Sequence, residues 1–383
     1  MPFAKHDSAI GTFCFEINFS FLTKFGFKQK LNMETRIKCE LEYIASPHLT
    51  QLYDGFAKLE KAGKVKLIVK PSVSGNQFKP LLKVVVNQKY KVVYDALDGL
   101  NWIEGTTTDN LKYFNENTRA DFYFKRSFNQ QIIDNAPKGC VVFPLGLNYQ
   151  ISPEKDYSIH FKDKLKAFLY GNILTEKFYK KYKFKSEDFE HAPVPEKETR
   201  ILFLTRLWNP ADSKSKKTAS EREIINQNRI DFIKSCKKEF GNRFTGGLTH
   251  DQFSKKYAKE LILPQSFTKK ENFLKAVKSH NICVASTGLH QSIGWKFGEY
   301  VAASRAIVSE PLHYVLPGEF VEKKNYLTFE NTAHLLEKIN DLLDNHSKMK
   351  EMMEQNANYY KHYVRPDVLV WNTLLKVIES GKD

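Results

Sequence analysis

Residues 281–312 read NICVASTGLHQSIGWKFGEYVAASRAIVSEPL. Ile282 to Ala285 is a short apolar run of buried-strand type, Ser286-Thr287-Gly288 makes a turn of small residues, a helix carrying Lys296 and Glu299 follows, and Ala306 to Ser309 is a second buried strand. The unit is β-loop-α-β, and its loop falls at the carboxyl end of a strand, where open α/β sheets place their ligands. Any parallel α/β domain contains such units. A helix meant only for packing, however, has little use for Trp295, Lys296 and Glu299 near its start, directly after a Thr-Gly turn.

The flanking sequence repeats the same alternation. Upstream, Thr199 to Leu204 is a strand that ends at Arg206, whose planar guanidinium suits a phosphate at the ligand edge of a sheet. Lys214 to Ser220 reads as a mobile loop. Ala219 to Phe240 reads as a long helix with Ile224, Ile225, Ile230, Phe232 and Ile233 on its apolar face. Phe244 to Gly247 is a strand end, and helices over Phe253–Leu261 and Phe267–Ser279 lead into the central unit. Downstream come a strand at Asn325–Phe329 and helices at Thr332–Leu343, Met349–Tyr360 and Asp367–Ile378, the last two separated by Arg365-Pro366. Met352, Met353 and the neighbouring tyrosines read as packing.

Residues 151–198 carry no strand pattern, one apolar helix candidate (Leu165 to Leu174) and a basic aromatic run, Lys177 to Lys185, that ends at His191-Ala192-Pro193-Val194-Pro195. A domain boundary is therefore expected near 190–199. The run is of a kind that meets an anionic membrane or nucleic acid, although a solvated linker surface is the commoner explanation.

The amino-terminal half opens β-α-β, with strands at Arg36–Ile44 and Val65–Val69 around a helix at Gln51–Lys61. Further short apolar strands follow at Val84–Val86, Lys91–Tyr94, Ala120–Phe124 and Cys140–Phe143, and a parallel doubly wound sheet is predicted. Three strand ends carry polar residues: His48, Asp95 with Asp98, and Lys125 with Arg126. Each has a plain reading beside the functional one. His48 suits a helix-capping loop, Asp98-Gly99 suits a turn, and Lys125-Arg126 suits a pair of solvated cations.

The organisation expected is an N-terminal extension (1–33), a first Rossmann-like domain (34–190), a second (191–360) and a C-terminal helix (361–383) packing back on the first. Met33 stands just before the first convincing strand, and natural translation starting there is one reading of the extension; an edge strand or a membrane-touching arm is the other. The chain has 383 residues, 42% hydrophobic, enough for two cores. Its net charge of +15 suits nucleotides, phosphorylated lipids, an anionic membrane surface or nucleic acid. Cys14, Cys39, Cys140, Cys236 and Cys283 are scattered, which supports neither a disulfide framework nor a zinc site and fits a reduced, cytoplasmic protein. No apolar run approaches the ~20 residues of a membrane span.

The segment Glu299-Tyr300-Val301-Ala302-Ala303-Ser304-Arg305-Ala306-Ile307-Val308-Ser309 resembles the donor half of GT-B glycosyltransferases, the group 1 enzymes and their spore-maturation relatives above all. LPGEF, NYLTF and YYKHYVRPD resemble the tail of the same group, so the resemblance covers about residues 199–378 and is only architectural before that. It departs from the pattern at one position: where the family has a first glutamate this chain has Gln291, with His290 beside it.

The resemblance implies two Rossmann-like domains facing a cleft, a nucleoside diphosphate sugar as donor and no obligatory metal or other cofactor. It assigns Arg206, Lys296 and the amides of Thr287, Gly288 and Leu289 to the diphosphate, Glu299 to the ribose, and His290 and Gln291 to the sugar. Asp98 and then His48 are the candidate bases near the acceptor, with Lys125 and Arg126 as acceptor-side or phosphate candidates. The expected partners are a nucleotide sugar, a glycan or lipid-linked glycan acceptor and, through residues 177–185, the inner face of a membrane; no specific nucleic acid is expected. Two rival readings are a nucleotide-sugar-binding relative without turnover and a basic nucleic-acid-binding protein.

Overall fold

Short apolar strands alternate with helices in both halves of the chain, and in the computed structural model they assemble into two sheets. The structure describes residues 36–71, 79–155, 157, 184–213 and 215–381. Residues 1–33, the helix expected at Leu165–Leu174 and all of the basic run but Phe184 and Lys185 lie outside the described residues.

The first sheet is built from β1 (Ile37–Tyr43), α1 (Thr50–Lys61), β2 (Val65–Pro71), β3 (Leu81–Val86), β4 (Tyr90–Asp95), α2 (Thr107–Asn117), β5 (Phe122–Lys125), α3 (Gln130–Asp134) and β6 (Val141–Pro144). Its strand order is β2-β1-β3-β4-β5-β6. It is not wholly parallel, as the sequence suggested, because β3 runs against both β1 and β4. The cause is a tight hairpin: Asn87 and Gln88 both take left-handed backbone (φ 50° and 58°), and the Lys89 amide donates to the Val86 carbonyl at 3.0 Å. This is the turn whose twist suits paired strands, made here without the usual glycine.

The second sheet uses β7 (Ile201–Thr205), α4 (Lys216–Phe240), β8 (Phe244–Leu248), α5 (Gln252–Tyr257), α6 (Gln265–Thr268), α7 (Lys270–Lys278), β9 (Ile282–Ala285), α8 (Trp295–Ala302), β10 (Ala306–Ser309), β11 (Leu327–Thr328), α9 (Thr332–Asp344), α10 (His346–Tyr359) and α11 (Pro366–Ser380). All its strands are parallel, in the order β11-β10-β9-β7-β8. Strand residues alternate between its faces. Ile201, Phe203, Val284 and Val308 pack with Phe232 and Ile233 of α4, while Leu202, Leu204, Cys283 and Ile307 pack with Phe273 of α7 and Tyr300 of α8. Burial on both faces is why these strands read as unbroken apolar runs.

Two local expectations change. Lys216 to Ser220, expected in a loop, belong to the first turns of α4. Ile224, expected on the apolar face of that helix, is 63% exposed, and the polar Asn226 and Arg229 are buried in its place.

The chain leaves α10 through a π-turn at Tyr360–Val364 and enters α11, whose Leu369, Val370, Leu374 and Val377 join Leu52 and Phe56 of α1 and Val84, Val92 and Tyr94 in the core of the first sheet. The molecule thus has two Rossmann-like α/β domains with carboxyl-terminal helices, and residues that follow parallel strands of both sheets border one cleft.

Candidate functional site

The strand order of the second sheet reverses between β7 and β9, and a crevice opens outside their carboxyl ends, as it does in doubly wound sheets generally. A cavity of about 760 Å³ fills this place. Its walls include Arg206 after β7, Thr249 after β8, Ser286 and Gly288 after β9, and Lys296 and Glu299 on α8. From the first domain His48, Asp98, Arg126 and Gln150 close the opposite side. These residues are far apart in sequence and meet because parallel strands end at one edge.

The cations of the second domain differ in setting. Arg206 is exposed, with its guanidinium 5.8 Å from the centre of the Trp208 ring. Lys296 is half-buried and donates to the carbonyl of Leu204. Desolvation, with Arg229, Lys270 and Arg206 nearby, outweighs the pull of Glu299 and brings its ammonium down to about 7. Glu299 is 3% exposed, and its Oε1 accepts from Lys270 at 2.5 Å.

Arg229, which the sequence reading missed, is 5% exposed and donates to the Arg206 carbonyl (2.7 Å), the Ser286 hydroxyl (3.0 Å) and the Thr287 carbonyl (3.2 Å). Burial lowers it to about 10, opposed by Glu310. Arg222, also missed, lines the cavity beside it with a buried Nε that has no partner among the described residues. The only sequence signal for either was a basic residue on a helix between two strand ends.

Several expected contacts are placed differently. The Thr-Gly turn does not run directly into the helix: a short 3-10 turn, Leu289–Gln291, and extended backbone to Gly294 come first. The Thr287 amide is taken by the Glu310 carboxylate at 2.8 Å, and the Gly288 amide by the Ser292 carbonyl at 2.8 Å. Among the described residues, the Leu289 amide and the amino end of α8 are then the backbone donors of this loop that could meet an anion.

His290 and Gln291 are not part of the cavity wall. Both take left-handed backbone. Gln291 is exposed, and the His290 ring turns to Asn101 of the first domain (Nε2 to Nδ2, 3.2 Å) while its amide donates to Glu221 at 2.6 Å. Gly99, with φ +64°, is required beneath it, since a Cβ there would lie 2.4 Å from the His290 Cβ.

In the first domain, Lys125 and Arg126 part ways as neighbours along an extended chain do. Lys125 is fully buried and bonds Asp95 (3.2 Å) and the Leu97 carbonyl (2.7 Å), so it faces no ligand. Burial lowers its pKa, with Asp95 opposing. Asp95 is equally occupied, accepting from Trp102 (2.7 Å) and Tyr123 (2.6 Å). Arg126 instead reaches the cleft, pairing with Asp98 and donating to the carbonyl of Ile293 in the second domain. The Asp98 carboxylate is therefore engaged. His48 is half-buried, its ring centre 4.7 Å from that of Trp295 and its buried Nδ1 without a partner among the described residues. Burial lowers its pKa, opposed by Asp98, so its neutral form is favoured at neutral pH.

Among the described residues six cations line the cavity, Arg126, Arg206, Arg222, Arg229, Lys270 and Lys296, with Asp98 and Glu299 in the same wall. Glu221 and Glu310 bind the loop amides just behind it. With Lys296 protonated, the balance is a net positive charge of about two, which suits a dianion such as a pyrophosphate diester. Among the described residues no group of His, Cys, Asp and Glu is arranged to hold a metal ion, and no helix is long and apolar enough to cross a membrane.

No protein-family model and no curated protein matches the chain. Similar solved structures include the C-terminal domain of a glycosyl transferase group 1 family protein, LpcC, from Francisella tularensis, 14% identical over 46% of this chain and 95% of that one, with a TM-score of 0.31. HepE from Anabaena in complex with UDP is 13% identical over 85% of this chain and 75% of its own, with a TM-score of 0.40. Sucrose-phosphate synthase from Thermosynechococcus elongatus is 10% identical over 73% and 65%, also with a TM-score of 0.40. The likeness is distant, and the glycosyl transferase group 1 class that the sequence resembles is represented among these neighbours.

Proposed function

We propose that the protein is a glycosyltransferase that moves a sugar from a nucleoside diphosphate sugar to a hydroxyl of a glycan or lipid-linked glycan, with no obligatory metal. The observation that carries this reading is the cationic crevice at the β7/β9 reversal, continuous with a polar wall from the other domain. The pyrophosphate lies against Arg206, Lys296, the Leu289 amide and the amino end of α8. The second oxygen of Glu299 accepts from a ribose hydroxyl. The sugar then points toward His48, Asp98 and Arg126.

In the reaction the bond between the anomeric carbon and the diphosphate oxygen breaks, a bond to the acceptor oxygen forms, and the diphosphate leaves with the bonding pair. Fixed cations stabilise the charge that gathers on it. Where the acceptor attacks from the face opposite the diphosphate, its proton passes to the neutral imidazole of His48. Asp98, held by Arg126, steadies the resulting imidazolium. The membrane part of the reading, contact of residues 177–185 with an anionic surface at the inner face, rests on sequence alone.

The test is incubation of the protein with UDP-, GDP- and CDP-sugars, with and without a mixture of short glycans, assayed for released nucleoside diphosphate. Release that rises with acceptor supports transfer. Tight binding with no release from any donor supports the binding relative without turnover.

A further inference from the structure

Helix α4 lies across the crevice, and four of its side chains reach backbone on both sides of it. Arg222 donates to the Asn209 carbonyl at 2.7 Å. Asn226 makes a closed pair of bonds with Trp208, accepting from its amide at 2.9 Å and donating to its carbonyl at 2.7 Å. Arg229 donates to the Arg206 carbonyl at 2.7 Å. These positions follow the i, i+4, i+7 spacing of a single helical stripe, and together they hold the loop that carries Arg206. On the other side Arg229 bonds Ser286 and Thr287, and Glu221 accepts from the His290 amide.

A buried arginine and asparagine in mid-helix carry a desolvation penalty that apolar residues would avoid. Asn226 and Arg229 are 7% and 5% exposed, yet their side chains donate to backbone or hydroxyl groups of the two loops bordering the cavity. The Arg229 guanidinium also lies 4.2 Å from the centre of the Trp208 ring, the same ring on which Arg206 leans. The helix therefore sets both the path of the Arg206 loop and the direction of its side chain.

We propose that Asn226 and Arg229 are positioning residues: they hold the β7 and β9 loops at the separation at which Arg206 and the Leu289 amide meet a diphosphate without rearrangement. This rests on the nucleotide-sugar reading above. Groups already in place bind an anion without the ordering penalty of assembling the site.

The test is a double-mutant cycle read by calorimetric titration of UDP, GDP and CDP into the wild type, Asn226→Ala, Arg206→Ala and the double variant. Asn226→Ala is expected to weaken the nucleotide that binds by about tenfold, within the range for coupled neighbours. The double variant is expected to bind no more weakly than Arg206→Ala alone, because a misplaced arginine and a missing one are equivalent to the ligand. The unliganded melting temperature should fall equally in both backgrounds. Arg229→Lys, which keeps the charge and loses the planar fork, is the second variant; because Arg229 also holds the Ser286-Thr287 loop, its loss of affinity should shrink but not vanish in the Arg206→Ala background. Full nucleotide affinity in Asn226→Ala and Arg229→Lys overturns the positioning role, as does a loss that persists undiminished without Arg206. If no nucleotide binds the wild type, the nucleotide reading itself fails, and this proposal with it.

Discussion

Arg126, at the end of β5, donates to the carbonyl of Ile293 just before α8, so a single side chain ties the first sheet to the donor-side loop of the second. The same guanidinium pairs with Asp98. Removing it opens the clasp and releases the carboxylate together. Arg126→Ala is expected to lower unfolding stability by about 1–3 kcal/mol, the usual range for bonds to a charged group, discounted toward the low end because Asp98 is 38% exposed. Denaturant melts give the stability. Nucleotide titrations beside turnover assays should show transfer falling far more than nucleotide affinity.

On the nucleotide-sugar reading, Lys296 makes donor binding depend on pH. Its ammonium is depressed to about 7, so in the free protein it loses its charge as pH rises through neutrality. A bound pyrophosphate favours the charged form and raises its pKa, binding takes up a proton above neutrality, and affinity for a nucleoside diphosphate sugar is level below about pH 7 and falls as pH rises from about 7 toward the value of the bound state. Lys296→Arg, which stays charged, should flatten this profile. The sign for folding follows the same shift: the unfolded chain holds this proton to higher pH, so this group adds stability as pH rises from about 7 toward the ordinary lysine range.

His48 and Asp98 separate as candidate bases because only Asp98 is engaged by an arginine. His48→Ala is expected to reduce transfer by about 10²–10⁴-fold, the ordinary contribution of a positioned base. Asp98→Asn should reduce it less, through the orientation of Arg126 and the charge beside His48. Retention of full turnover in both variants would remove the base assignment.

Gly298 lets α8 approach the first domain, since a Cβ at this position would lie 2.8 Å from the Asn148 carbonyl oxygen. Gly298→Val should push the two walls apart. The expected result is a loss of about 1–3 kcal/mol in thermal or denaturant stability, as for other overpacked contacts, and a larger loss of transfer than of nucleotide binding.

The fold was legible where strands are buried on both faces, because β7, β9 and β10 can be nothing but apolar runs. The β3–β4 hairpin was not, because Asn87-Gln88 lacks the glycine that usually marks such a turn. Arg206, Lys296, Glu299, His48, Asp98 and Arg126 could be picked out because residues that follow parallel strands gather at one edge. Lys125, one residue from Arg126, could not be separated from it without knowing that Asp95 waits on its side of the strand. Asn226 and Arg229 were hidden by the isoleucines around them, although their spacing with Arg222 marks one helical face.

The most direct test of the nucleotide-sugar site is a thermal-shift series with UDP, GDP, CDP and their sugars against the wild type and Arg206→Ala. At least one of these ligands is predicted to raise the melting temperature of the wild type, with most of that rise lost in Arg206→Ala. No rise with any of them, or an equal rise in both proteins, would contradict the assignment of the β7/β9 crevice to a nucleoside diphosphate sugar.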